Sequence, residues 1–328
     1  MAATPRRPAR IALIVMAALL GAAVAVVALA NVVVRVAFAP FYEHAEPSLA
    51  IPGIGEGFVC QDLDRLDVGG SWLFSGYMAD GSASPLYRVG PDGAVSRVFL
   101  ELPGGGLYDD HGSAVTSAGG RVLVAREGGY LVLDEAAVAG AADGAAVGVL
   151  GQVDLGFSPS FMNAEDGYLL AGVFYHPGDY ETPEAWRLTT PDGTENPSMM
   201  FAFPADADSP AGFSVQPAAA FSIPGMIQGV CVSDGAVVLS QSFGLAPSHL
   251  YAYDGARLTR DGTFPDGGLD VPLYCLDGRS LAVDLAAPPM TEGIESFEGR
   301  VMVSEESASA KYLFGRLYGA GRVYAVEL

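Results

Sequence analysis

Hydrophobic residues fall into two patterns along this chain. From Ile11 to Val34 they form a 24-residue run broken only by Asn31. At ~1.5 Å of rise per residue, that exceeds the roughly 20 residues a helix needs to cross a bilayer. A helix of a soluble domain is not apolar on every face for this long. Beyond residue 56 the pattern changes to short runs of Val, Leu, Tyr and Phe cut by Asp-Gly, a dipeptide that occurs ten times. Asp-Gly accepts the positive φ angles of tight hairpin turns, so its density predicts antiparallel hairpins. Helical spacing is scarce there. The alanine-rich stretch 134–150 is the exception and predicts a short helical turn.

The hairpins repeat. Each unit opens on a polar residue, continues as an apolar strand, turns through Gly or Asp, and adds a strong second strand and a third carrying Leu or Tyr. The units start at Gln61, His111, Ser160, Gln228 and Glu292, with spacings of 50, 49, 68 and 64 residues. Propeller blades of four strands take about 40 to 50 residues. The longer spacings call for extra hairpins, one of which the segment 271–285 could supply. One unit cannot bury both faces of its sheet, whereas radial stacking with circular closure does. The last unit shows three strands, and a segment around Leu49 to Phe58 is the natural donor of its fourth. The expected fold class is therefore all-β: a five-bladed β-propeller, alternatively six-bladed if 212–275 holds a further blade, preceded by one transmembrane helix. An aperiodic β-sandwich is the plainer alternative.

Arg6, Arg7 and Arg10 precede the apolar run, while Glu43 and Glu46 follow it. Arginine excess marks the cytoplasmic side. The chain thus divides into a cytoplasmic basic tail (1–10), a transmembrane signal-anchor helix (11–34), a linker rich in Pro, Gly and acids (35–56) and an extracytoplasmic propeller (57–328), a single-pass arrangement in the cell membrane. Ala28-Leu29-Ala30 offers the competing reading of a cleaved signal peptide. Run length favours retention, and cleavage would leave an apolar stretch, 31–41, behind. All 38 acids but only 14 of the 17 lysines and arginines follow the basic tail, a net charge of −24 outside. Such a surface repels nucleic acid and anionic headgroups, keeps a domain soluble, and favours cationic ligands. A single lysine and much Ala, Gly, Val and Asp suggest a GC-rich bacterial genome. Cys60, Cys231 and Cys275 form no metal-binding spacing. One disulfide is possible, but small buried apolar residues are the simpler reading.

In a propeller the first strand of each blade lines the central channel, so the five unit starts gather at one mouth. All are polar where an apolar strand residue is the default. Gly112, Gly229 and Gly293 follow three of them and let neighbouring backbones crowd the axis. Asp62 stands in that place in the first unit, Asp110 precedes His111, and Asn163 is an alternative to Ser160. Such a ring suits a small ligand, a protein partner or a divalent metal ion; it also suits groups that merely satisfy one another and channel water. The second strands end on a further polar set that includes Arg126, Tyr175, His176, Asp179, Gln241, Glu305 and Glu306. Glu292 paired with Glu305 could serve as acid and base in glycoside cleavage. Trp72, Trp186 and Tyr residues 77, 87, 175, 180, 251 and 253 fit blade packing better than a sugar-stacking surface.

In its repeat, over residues 57–328, the chain resembles bacterial extracytoplasmic β-propellers of the lactonase-like and NHL-like kinds. That resemblance implies a central divalent ion, with Glu292 as the matching glutamate and Asn163, Asp62 or Gln228 as oxygen donors. His111 and the two glutamines depart from the pattern. The leading expectation is a ligand- or partner-binding propeller, and the alternative is a metal-dependent hydrolase or lyase on the same ring.

Overall fold

The computed structural model describes residues 7–312 and 314–328. Residues 1–6 of the basic tail, Arg6 among them, lie outside the described residues. Residues 7–10 begin helix α1 (Arg7–Ala37), which is followed by α2 (Ala39–His44). From Ile11 to Leu29 every residue of α1 is solvent-exposed, which is the surface a membrane-spanning helix offers to lipid.

The rest forms five sheets arranged as propeller blades, antiparallel except for one parallel pairing at the outer edge of each of blades 1 and 3. Their inner strands are Phe58–Arg65, Val115–Ala118, Phe161–Glu165, Ile227–Ser233 and Thr291–Phe297, and each packs against the next until the fifth meets the first. Short turns make this spacing possible. In blades 2 to 5 the first hairpin closes on two residues, 119–120, 166–167, 234–235 and 298–299, all at positive φ. Gly supplies that conformation at no cost, and Asp or Glu precedes it in three of the four. Only Asp166-Gly167 and Asp234-Gly235 among the Asp-Gly pairs close such first hairpins. Others form loop turns or, at Asp261-Gly262, a strand bulge.

Five apolar clusters fill the five gaps between neighbouring blades. Strand alternation feeds them in pairs. Met199 and Phe201 enter the gap between blades 2 and 3, while Met200 and Ala202 enter the gap between blades 3 and 4. A blade strand is buried on both faces, so it reads as a continuous apolar run. All three cysteines are free and buried.

The ring closes through the N-terminal side. Ala45–Ala50 pairs antiparallel with Arg322–Val326 as the outer strand of blade 5. The closing strand therefore lies earlier than the expected 49–58, because Phe58 already belongs to blade 1. The segment 35–56, read as a linker, is built into the fold: it holds α2, this strand and a 3₁₀ turn at Ile54–Glu56. Phe41 of α2 is 1% exposed and packs in the gap between blades 4 and 5. Pro and Gly here serve a helix start and turns. Glu135–Gly140 forms the expected short helix, α3, capped by Asp134, whose carboxylate accepts the Ala137 N–H at 2.9 Å.

No sixth blade exists among the described residues. The hairpin 260–275 leaves blade 4 and adds to the outer edge of blade 3 through a parallel pairing of 220–222 with 273–275, and Leu281–Ala287 then completes blade 4.

Candidate functional site

A cavity of about 630 Å³ opens where the inner strands begin. Gln61, His111, Ser160, Gln228 and Glu292 all line it, one from each blade, and Asp110 joins them. The predicted glycines bring these strands together. A Cβ on Gly229 would meet Glu292 O at 3.0 Å, one on Gly293 would meet Asp62 Oδ1 at 1.7 Å, and one on Gly112 would meet Gly76 O at 2.8 Å. A side chain at any of these points would push two blades apart.

Hydrogen bonds order the floor. Gln61 Nε2 donates to Glu306 Oε2 at 3.2 Å and to Cys60 O at 3.0 Å, which leaves Gln61 Oε1 to accept from His111 Nε2 at 2.5 Å. That arrangement keeps the His111 ring proton on Nε2. His111 stands at the rim, 4.5 Å from the Tyr77 ring, and the surrounding protein lowers its pKa, so the ring is neutral at pH 7. Glu292 is 3% exposed, and among the described residues its side chain accepts one hydrogen bond, from Gln228 Nε2 at 3.5 Å. Burial pushes its carboxyl well above the ordinary range, reinforced by Glu306, Asp62 and Glu305 and opposed by Lys311.

The walls come from loops that the repeat pattern did not single out. Tyr108, Phe174, Phe243 and Tyr312 join Tyr77 and Tyr180 as aromatic lining, and Lys311 reaches over from blade 5 to donate to the Tyr77 hydroxyl at 2.5 Å. Arg126 and Glu306 of the second-strand set line the cavity; Tyr175, His176, Asp179 and Gln241 do not. Lys311 was legible as the chain's only lysine beside a tyrosine, though nothing in its spacing pointed to the mouth. Trp72 and Trp186 pack against apolar clusters, as aromatic residues in blades do.

Three candidate residues lie elsewhere. Asp62 accepts the N–H groups of Leu63 and Val115 at 2.9 Å each, so it fastens blade 1 to blade 2 inside the wall. Asn163 donates to Glu295 across the channel, below the mouth. Glu305 turns away into a small pocket with Tyr42, Tyr318 and Tyr324, where it accepts from Ser307 Oγ and Gly321 N. Alternation along the strand decides this: of the two adjacent glutamates, Glu306 faces the mouth. Among the described residues no three Asp, Glu, His or Cys side chains converge as a metal-binding group. Of the set Glu292, Asn163 and Asp62 only Glu292 lines the cavity, and the Glu292–Glu305 acid pair does not share it.

Fold and site together define a five-bladed β-propeller with one N-terminal apolar helix and a polar, aromatic-walled mouth. No protein family profile and no curated protein matches the chain. Among solved structures, a glucose dehydrogenase-type oxidoreductase from Thermus thermophilus is 12% identical, with 86% of this chain and 99% of that one covered and a TM-score of 0.41. A chain of the mitotic checkpoint complex is 9% identical, with 88% and 93% covered and a TM-score of 0.42. The WD40 propeller domain of Doa1 is 12% identical, with 85% and 96% covered and a TM-score of 0.36.

Proposed function

We propose that this protein is a membrane-anchored, extracytoplasmic binding propeller of a bacterial cell, and that it takes a small ligand into its central mouth. The observation that carries this reading is the convergence of five polar residues, one per blade, on a single cavity of about 630 Å³ with aromatic walls. Ligand sites combine such apolar surface with a few polar groups that fix orientation. The helix α1 supports the anchor, since nothing in the fold covers Ile11 to Leu29. The Glu292–Glu305 pair considered for hydrolysis is split, since Glu305 lines a separate pocket.

The test is a thermal-shift screen of the full chain in mild detergent against small polar compounds. A ligand that binds only the folded state raises the melting temperature. Hits should weaken in His111→Ala and in Gln228→Ala, with non-additive effects in the double variant, as expected of residues that share a ligand. Hits that bind both variants as tightly as the parent would remove the mouth from consideration. For the anchor, a C-terminal tag should be digested by protease added to spheroplasts, and the domain should need detergent for release. A protected tag reverses the orientation.

A further inference from the structure

Building on the mouth as a ligand site, we propose that its ligand carries an ammonium group, whose positive charge is taken by Glu292 and Glu306 on the cavity floor. Glu292 is nine-tenths buried, lines the cavity, and among the described residues accepts only the 3.5 Å bond from Gln228. A buried carboxylate without a close partner is costly, so the group needs either a proton or a cation. Glu306 stands beside it and accepts from the Gln61 amide and the Tyr312 hydroxyl. Asp62 and Glu305 lie behind in the wall and add negative potential.

The same cavity already displays how it holds such a charge. The Lys311 ammonium lies 5.0 Å from the Tyr77 ring centroid and 5.3 Å from that of Tyr312. Both are within the ~6 Å range of cation–π attraction. One ammonium therefore faces two floor carboxyls, and a second cation is matched once Glu292 gives up its proton. A metal ion would need several ligands at ~2.0–2.6 Å, which the dispersed acids do not provide. An ammonium needs only acceptors at hydrogen-bond distance and aromatic faces, and these are present. The net charge of −24 outside the basic tail draws cations toward this mouth. Proton balance follows: without a cation Glu292 carries its proton, and on binding the ammonium it becomes a carboxylate and releases that proton to solvent.

The experiment is calorimetric titration of the full chain in mild detergent at pH 7, in two buffers of different ionisation heat. Probes are choline, 1,5-diaminopentane and the neutral methyl glucoside. At least one of the two cations should bind with proton release. Glu292→Gln should cut affinity by about tenfold or more, since a hydrogen bond to a charged group is lost, and should abolish the proton release. Lys311→Met should tighten binding by removing the resident positive charge. A melt of Glu292→Gln checks folding, and Glu306→Gln is the second variant. Failure of both cations to bind overturns the inference, as does cation binding indifferent to both glutamine variants. Methyl glucoside binding that is lost in His111→Ala would reject the ammonium while keeping the mouth as a ligand site. No binding by any probe rejects the ammonium, and the broader screen then judges the mouth.

Discussion

Gly293 shows what a single residue must be at the axis of this ring. It follows Glu292 on the inner strand of blade 5, and its missing Cβ leaves room for Asp62 of blade 1. Gly293→Ala forces the Asp62 carboxylate out of its bonds to Leu63 and Val115. Overpacking combined with a disturbed buried acid should cost about 3 kcal/mol or more, read by denaturant unfolding. An unchanged midpoint would mean that the blades do not meet there. Glu292→Gln should behave in the opposite sense. It keeps the shape, removes a poorly partnered acid, and should leave ligand-free stability at pH 8 equal or raised. A clear loss would show that Glu292 already has a partner of its own.

Among the elements, α2 and the strand after it carry the most consequence. Sequence composition marked them as a tether, yet Phe41 meets Tyr42 and Tyr324 edge-on at 5.3 and 5.6 Å in the gap between blades 4 and 5. Phe41→Ala should destabilise the propeller by about 3–5 kcal/mol, the range for emptying a buried aromatic site; a true linker would tolerate it. The end of α1 joins the same body. Val34 is buried, and Asn31 Nδ2 donates to Leu317 O at 3.2 Å in helix α4 (Phe314–Tyr318). Of the stretch that a cut at Ala30 would leave, Val34 and Phe41 are docked on the propeller, while Val32, Val33 and Val36 stay exposed. Cleavage would still leave apolar surface bare, and the length of the apolar run adds to the case for the anchor.

Over the whole molecule, buried acids set the pH response. Burial pushes Asp64 and Glu305 up to about 7, and Asp62, Glu292 and Glu295 are raised as well, burial being the leading cause for each. In the unfolded chain these groups titrate near pH 4. Between about pH 4 and pH 7 the folded state therefore holds more protons, and stability falls as pH rises through that window. Asp192 and Asp261 are held low, by hydrogen bonds from Thr190 and from Arg279 respectively, so they are ionised in either state above pH 5. The melting temperature should be highest near pH 4 and lower by several degrees at pH 8, and Glu305→Gln should flatten the slope. A melting temperature that climbs from pH 5 to pH 8 would contradict the burial of these acids.

What the amino-acid pattern determined by itself is whatever depends on neighbours along the chain. The apolar run of α1, the two-residue turns and the order of strands within each blade are set by hydrophobic spacing and by Gly or Asp at positive φ. Repetition of that local order was enough to imply a ring, and with it the five polar residues that begin its inner strands. Only the tertiary structure decided how the ring closes, which blade the hairpin 260–275 joins, and which of Glu305 and Glu306 sees the mouth. Those outcomes depend on edges and gaps formed by residues far apart in sequence, where pairing energy and packing volume choose among strands of similar composition. Asp62 illustrates the division. Its place beside the ring was readable from the repeat, but its role as a fastening between blades arises from the Val115 N–H and the bare Gly293 backbone that folding brings against it.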